Sequence, residues 1–315
     1  MKNVAVLVST YNGEHYLKEQ LDSILNQSYK EIEIFIRDDG SSDRTVEIIE
    51  EYTSTHKNIN FIDNCVNLGC AESFLSLLDN VNADYYFFCD QDDIWIDKKV
   101  EITLSKFSNN NDIPHLVHSD LFVVNESLNI INQSFYDYQK LDPIVGYDKK
   151  KLVVQNYIVG CTVCINKELR DLVVKYMNVP GIHGVAMHDW WVALTAIFFG
   201  KITYIDSPLV YYRQHDNNVL GAPDNSFRRY MNSFFSGHGI EKVRSFTKKV
   251  SIQSDAFLKA YGHLLSNKDI DLLNRAKLFD SSLGVGNMLK LIFIYNISLQ
   301  GKKRNLALIY TSFRK

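Results

Sequence analysis

Val4-Ala5-Val6-Leu7-Val8 opens the chain as an unbroken apolar run that ends in Ser9, Thr10, Asn12 and Gly13. Such a run, closed by turn residues, predicts a strand buried on both faces of a parallel sheet. From Glu14 to Asn26 the apolar positions Tyr16, Leu17, Leu21, Ile24 and Leu25 recur at helical spacing. Ile32 to Ile36 predicts a second strand, and Ser41, Ser42 and Asp43 can cap a helix through Val46, Ile48 and Ile49. Asn60 to Ile62 predicts a third strand, Ala71 to Leu78 a helix, and Tyr85-Tyr86-Phe87-Phe88-Cys89 a fourth strand. This alternation predicts parallel βαβ units with helices on both faces. Ligands of such sheets sit at the carboxyl ends of the strands.

From about residue 113 the period shortens. Leu116 to His118, Leu121 to Asn125, Tyr157 to Ile165 and Ile202 to Tyr212 read as strands, interrupted by a helix from His188 to Phe199. From about Ser226 the pattern is helical: Phe227 to Phe235, Ile240 to Leu265 and Lys268 to Phe279. Ser281 to Gly286 reads as a flexible break, and Met288 to Leu299 as a strongly apolar helix followed by Lys302, Lys303 and Arg304. The expected organisation is residues 1–225 as one domain with halves 1–112 and 113–225, and 226–315 as a helical extension.

Composition narrows the classes. A chain of 315 residues with 46% hydrophobic content can bury one large core. A formal net charge of −3 offers no basic field, which disfavours nucleic acid as a partner. Five cysteines, an odd number set partly in apolar runs, read as reduced thiols of a cytoplasmic protein. Cys161-x-x-Cys164 lacks a second pair to complete a zinc site and reads as strand packing. The N-terminal run is too short for a signal peptide, and no stretch reaches the ~18 apolar residues of a membrane span.

Three polar clusters follow predicted strands. In Cys89-Asp90-Gln91-Asp92-Asp93-Ile94-Trp95, packed carboxylates are costly to hold charged unless a cation joins them, and oxygen ligands suit Mg²⁺ or Mn²⁺. In Arg37-Asp38-Asp39-Gly40-Ser41-Ser42-Asp43, a carboxylate can accept from a base N–H and Gly40 admits a close approach; a plain turn and cap fits equally. In Ser9-Thr10-Tyr11-Asn12-Gly13, a ring can stack on a base, or the segment is a turn.

In this order and spacing the clusters, with Asn67-Leu68-Gly69 and Arg44-Thr45, resemble family 2 glycosyltransferases of the GT-A fold over roughly residues 3–215. The Cys-Asp-Gln-Asp-Asp-Ile-Trp form is most similar to bacterial rhamnosyltransferases and their capsule or O-antigen relatives. The resemblance implies an α/β, Rossmann-like, mostly parallel sheet flanked by helices, with the helical extension behind it. It implies that Thr10, Tyr11, Asn12, Asp38, Asp39, Asn67, Gly69, Asp90 and Gln91 hold the nucleotide sugar. It implies Asp92, with His215 from Tyr212-Arg213-Gln214-His215, as ligands of a divalent Mn²⁺ or Mg²⁺. It implies Gly160, Trp190 and Trp191 on the acceptor side, and Asp189 as catalytic base at the start of a helix where His188 replaces the family's Glu. On its own residues, Asp189 reads as a base in apolar surroundings or as a helix cap.

The implied reaction is an inverting transfer of one sugar from a nucleotide diphosphate to a polysaccharide precursor, with dTDP-rhamnose the first candidate donor and a UDP-hexose the alternative. The Gln-x-x-Arg-Trp motif of processive members is absent, which points to one or a few sugars rather than a threaded polymer. A nucleotidyltransferase would need a basic Gly-rich loop that Ser9 to Gly13 does not offer, and a degenerate binding module would not need Asp92 and Asp189. The acceptor expected is a lipid-linked glycan. Met288 to Leu299 with its cationic flank can lie in the membrane interface from the cytoplasmic side, or pack on protein, including a second copy in a homodimer.

Overall fold

The computed structural model describes residues 2–62, 66–107, 112–177, 185–215 and 238–313. Among these, two compact units form. The first holds the described residues through Phe135, Ile158–Lys175 and those from Met187 to His215; the second holds Tyr136–Tyr157, residues 176–186 as far as described, and the helices from His238 onward. Residues 136–157 therefore cluster with the C-terminal helices, although the sequence pattern groups them with the 113–225 half.

The first unit is built on a single sheet. Its strands are β1 (Val4–Thr10), β2 (Ile32–Asp38), β3 (Ile59–Phe61), β4 (Tyr85–Cys89), β5 (Ile94–Trp95), β6 (His115–Asn125), β7 (Ile130–Asn132), β8 (Cys164–Asn166) and β9 (Lys201–Gln214), in the order β3-β2-β1-β4-β8-β6-β9-β5 with β7 beside β6. β1 is the buried centre: Val4 through Val8 are each 0% exposed, as the unbroken apolar run requires. It pairs in parallel with β2 and β4, in a register that sets Thr10 opposite Asp38 and Val8 opposite Cys89. The three polar clusters thus reach one edge of the sheet together.

The helices of this unit are α1 (Leu17–Leu25), α2 (Thr45–Thr55), α3 (Cys70–Asn80) and α4 (Lys99–Leu104). After α5 (Phe135–Gln139) and α6 (Lys149–Leu152) come α7 (Lys167–Met177) and α8 (His188–Phe199). Three differences from the sequence pattern have physical reasons. Leu116–His118 and Leu121–Asn125 belong to one strand, β6, because Ser119 and Asp120 form an irregularity in the ladder rather than a turn; Pro208 of β9 sits opposite it, where a missing N–H costs nothing. Tyr157 to Ile165 is not a strand: a 3₁₀ turn at Gly160–Thr162 precedes the short β8. α4 is too short to show an apolar stripe, whereas α7 carries Leu169, Leu172, Val173 and Tyr176 at helical spacing, a signal the sequence pattern offered and the expected elements leave out.

The second unit is helical: α9 (His238–Tyr261), α10 (Asn267–Ala276), α11 (Val285–Leu289) and α12 (Lys302–Phe313). The expected 288–299 helix does not form as one piece. α11 passes into a π-helical turn, Lys290–Ile294, and Asn296 then takes a positive φ of 54° that ends helical geometry. The expected break at Ser281 to Gly286 is a 3₁₀ turn capped by Asp280, with Gly284 at φ 92°. The expected helix at Phe227 to Phe235 lies outside the described residues, as does Cys65. Cys70, Cys89, Cys161 and Cys164 form no disulfide among the described residues. Among the described residues no helix is long and apolar enough to cross a membrane.

Candidate active site

The loops after β1 and β2 are stitched together by backbone-to-side-chain bonds. Asn12, at φ 49°, donates its N–H to Ser41 Oγ (2.8 Å) and accepts at Oδ1 from the Ser42 N–H (2.8 Å). The Gly13 N–H donates to Thr45 Oγ1 (2.8 Å). Asp38 accepts from Thr10 Oγ1 (2.8 Å), Ser41 Oγ (2.6 Å), the Ser41 N–H (2.7 Å) and the Gly40 N–H (3.0 Å). Asp39 accepts from Arg37 Nη1 (2.6 Å), Ser73 Oγ (2.9 Å) and the N–H groups of Leu68 and Gly69 (both 2.7 Å). Burial alone would raise Asp39, but the Leu68 N–H, the Arg37 guanidinium, the Ser73 hydroxyl and the Gly69 N–H hold its carboxyl below the usual range. A carboxylate has about four lone-pair sites. Asp38, expected to hold the nucleotide, takes two donors on each oxygen, and Asp39, expected to do the same, takes three on Oδ1 and the Gly69 N–H alone on Oδ2, so both shape the loops. Asn67 joins them, its Nδ2 donating to the Asp39 carbonyl (2.8 Å). Gly69, at φ 80°, lets the chain turn into α3 where a side chain would be strained. What the stitched loops leave on the surface is Tyr11, 52% exposed.

Gln91 is also spent on shape. Its Oε1 accepts from the Tyr11 N–H (2.8 Å) and its Nε2 donates to the Tyr11 carbonyl (3.0 Å). A Cβ at Gly13 would stand 2.3 Å from that Oε1, so this latch requires glycine there. Gln91 therefore positions the exposed ring of Tyr11.

Asp92 differs. β5 pairs with β9 and brings the Asp92 loop against the end of β9, where His215 Nε2 lies 2.9 Å from Asp92 Oδ2. Arg213, two residues earlier on the same face of the strand, braces the loop: its Nε donates to the Asp92 carbonyl (2.9 Å), its Nη1 to the Glu126 carbonyl (2.6 Å) and its Nη2 to Glu19 (2.5 Å). Tyr16 lies between, stacked on His215 at 4.8 Å and under the Arg213 guanidinium at 4.7 Å. Tyr16 and Arg213 were not singled out as site residues, though the i, i+2 spacing of Arg213 and His215 on a strand was a readable signal.

Asp189 comes to the same place from α8. It is the second helical residue, not the cap, which is Met187; its Oδ1 accepts from the Trp190 N–H (2.6 Å). Burial, then the charges of Asp92 and Asp189, push Asp90 up to about 7. Asp92 and Asp189 therefore both lie close enough for their charges to act on Asp90. A carboxylate and an imidazole at hydrogen-bond distance beside further acids fit a divalent ion of the Mn²⁺ or Mg²⁺ type.

Behind this surface lies a buried polar layer. Asp93 is 0% exposed; its Oδ1 accepts from the Arg213 N–H (3.2 Å), while Oδ2 has no partner among the described residues. Burial, then the charges of Asp92 and Asp90, push it well up, and burial does the same to the Cys161 thiol that bonds it. Asp90, Asp93 and Cys161 present ligand atoms within 4.8 Å of one another. Lys99, also 0% exposed, donates to the Cys161 carbonyl (3.0 Å) and lies over the Trp95 ring at 4.6 Å. Cys161 is thus packed under the acidic loop and not in a strand. Gly160 touches the start of α8: a Cβ there would meet His188 Nε2 at 3.0 Å and Asp189 Cβ at 3.6 Å. His188 is wedged between Phe74 (4.1 Å) and Phe88 (5.2 Å), with neither ring nitrogen bonded among the described residues, and burial pushes its pKa down to about 3. Trp190 and Trp191, expected on the acceptor side, are 4% and 0% exposed. They anchor α8 in the core and present no ring to an acceptor.

Against this geometry, residues 5–165 match the family model for glycosyl transferase family 2. A dTDP-rhamnosyl transferase of Shigella flexneri, RfbG, is 32% identical over 229 residues, 68% of this chain and 74% of its own. An uncharacterized glycosyltransferase of Haemophilus influenzae is 25% identical over 99% of this chain and 97% of its own. Among solved structures, Staphylococcus aureus TarS in complex with UDP-GlcNAc superposes with a TM-score of 0.53 at 16% identity, covering 87% of this chain and 90% of that one. A Pyrobaculum calidifontis mannosyltransferase in complex with GDP-Man and Mn²⁺ superposes at 0.50 and 17% identity, covering 99% and 86%. These two likenesses bear on fold, and the sheet and flanking helices agree with a GT-A fold.

Proposed function

The chain belongs to glycosyl transferase family 2 and is a glycosyltransferase, and from that premise we propose that it moves one sugar, with inversion, from a nucleotide diphosphate sugar to a hydroxyl of a cell-surface glycan precursor. The observation that carries the reading is the meeting of Asp90, Asp92, Asp189 and His215 at the carboxyl edge of the sheet, where Asp189 and Asp92 both bear on Asp90. Asp189 takes the proton of the attacking acceptor hydroxyl, and one displacement at the anomeric carbon inverts its configuration. Asp92 and His215 hold a divalent ion, which when bound offsets the charge of the departing diphosphate. Tyr11 stacks on the base, held by Gln91. Arg213 fixes the Asp92 loop and so fixes where the ligand pair points.

The donor favoured is dTDP-rhamnose, on the 32% identity to a dTDP-rhamnosyl transferase; a UDP-hexose is the alternative, and the acceptor favoured is lipid-linked. The test is release of nucleotide diphosphate from a panel of dTDP-, UDP- and GDP-sugars with Mn²⁺ or Mg²⁺. Turnover of dTDP-rhamnose alone, abolished by EDTA, is the expected result. Turnover of a UDP-hexose instead moves the donor assignment; binding without turnover of any donor leaves a degenerate module; turnover that survives EDTA removes the metal.

A further inference from the structure

Beyond glycosyl transfer, the second unit carries a surface the reaction does not use. From Ser281 to Lys315 the sequence has six Lys or Arg and no Asp or Glu, in a chain whose formal net charge is −3. Within that stretch the structure turns large apolar side chains outward. In α11 and the π-helical turn, Met288 and Leu291 are buried, while Leu289, Lys290, Phe293 and Ile294 face out; Phe293 is 72% and Ile294 68% exposed. Their i, i+1, i+4, i+5 spacing puts them on one face. α12 repeats the arrangement. Ala307, Leu308, Thr311 and Ser312 are buried, and Lys302, Leu306 and Phe313 fall on one exposed stripe, the last two 64% and 66% exposed. Arg304, expected in the cationic flank, is turned inward instead, donating to the carbonyls of Gln300 (3.1 Å) and Gln139 (2.9 Å). Lys290 and Lys302 remain as exposed cations beside the apolar stripes.

We infer that this surface docks on an anionic lipid bilayer, with Phe293, Ile294, Leu306 and Phe313 entering the interface and Lys290 and Lys302 meeting lipid headgroups. Exposed apolar groups rimmed by cations, with no acid among them, complement such a surface in both polarity and charge. A second copy is the poorer occupant: a two-fold contact sets the same patch against itself and brings lysine against lysine. The sequence pattern suggested a single 288–299 helix for this role; the structure assigns it to two separate elements instead, and adds Leu306 and Phe313.

Co-sedimentation of the full chain with vesicles tests the inference without reference to the transfer reaction. Vesicles of phosphatidylcholine with phosphatidylglycerol should bind the chain, pure phosphatidylcholine much less, and high salt should weaken the binding. The double change Phe293→Ser with Ile294→Ser should lower binding by about ten-fold or more, since two large apolar side chains no longer insert. Lys290→Glu with Lys302→Glu should lower it at least as much, at about five-fold per lysine removed. Ile130→Ser with Ile131→Ser, exposed apolar residues on β7, should leave it unchanged. Circular dichroism and thermal unfolding confirm that each variant is folded. No binding by the full chain, equal binding by all forms, or a Phe293→Ser, Ile294→Ser variant that loses self-association while keeping vesicle binding would overturn it.

Discussion

Two loops that look alike in sequence, each a pair of aspartates after an apolar strand, have opposite electrostatic situations. Asp38 and Asp39 each accept four hydrogen bonds from within the protein, from Thr10, Gly40 and Ser41 for one and Arg37, Leu68, Gly69 and Ser73 for the other. In the second loop and the α8 start beside it, supply falls short. Asp90 is pushed up by burial and then by its acidic neighbours, one oxygen of Asp93 has no partner among the described residues, and His188 has none at either nitrogen. A loop whose acids are supplied by its own donors is a scaffold first, because a ligand that displaces those donors breaks bonds that cost energy to lose. An under-satisfied one is poised for a ligand that supplies what is missing. Activity and stability should therefore separate between the two loops.

The largest effect is expected at Asp189. Asp189→Asn should lower turnover by about 10²–10⁴ and leave donor affinity nearly intact, since it removes a base and not a ligand contact. Single-turnover kinetics beside equilibrium dTDP binding checks this, and a variant that loses affinity at unchanged turnover assigns Asp189 to the donor instead. Next is Asp92→Ala, with a loss of about 10³-fold in turnover and weakened Mn²⁺-dependent binding of the nucleotide diphosphate, at unchanged thermal stability. Full activity in that variant would place the ion elsewhere.

The scaffold loop should respond the other way. Asp39→Ala strands Arg37, which is 1% exposed and pairs with Asp39 at 2.6 Å, so about 3–5 kcal/mol of stability should be lost. Urea unfolding measures it. A variant as stable as the parent, with only a raised donor KM, would return Asp39 to the role of a ligand contact and erase the distinction between the loops.

The same distinction explains what could be read without a structure. β1, β2, β4 and α8 were legible because each is an apolar run ended by turn residues, and their parallel order fixed which clusters meet. The meeting of Asp92 with His215 was legible only through the family resemblance, since 123 residues separate them. Filled acceptor sites were not legible: nothing in Asp38-Asp39 says that Ser73 and Leu68 arrive from another loop to occupy them. Trp190 and Trp191 misled because they adjoin Asp189 in sequence, whereas successive helical residues point to different sides, and here both sides are core. The 288–299 segment misled because apolar content does not report the positive φ at Asn296 that ends the helix.

The smallest effect tests the unsatisfied side of the comparison through acid stability. Burial pushes His188 and His118 down to about 3, and burial with the Lys201 charge pushes His115 down to about 4, from an ordinary value of 6.5. Below pH 6.5 the unfolded chain takes up protons that the folded one refuses, so stability is fully present above 6.5 and is lost as pH falls toward these folded values. At pH 5.5 each such histidine costs about 1.4 kcal/mol relative to pH 7.5. In His188→Leu that share vanishes: the drop between pH 7.5 and 5.5 should shrink by about one third of the three-histidine total, because the wedge between Phe74 and Phe88 no longer has a proton to refuse. Paired urea titrations of the two forms at both pH values read it directly. An unchanged drop would mean that His188 is protonated in the folded protein and bonded there, and the α8 start would then belong with the satisfied loop rather than beside Asp90 and Asp93.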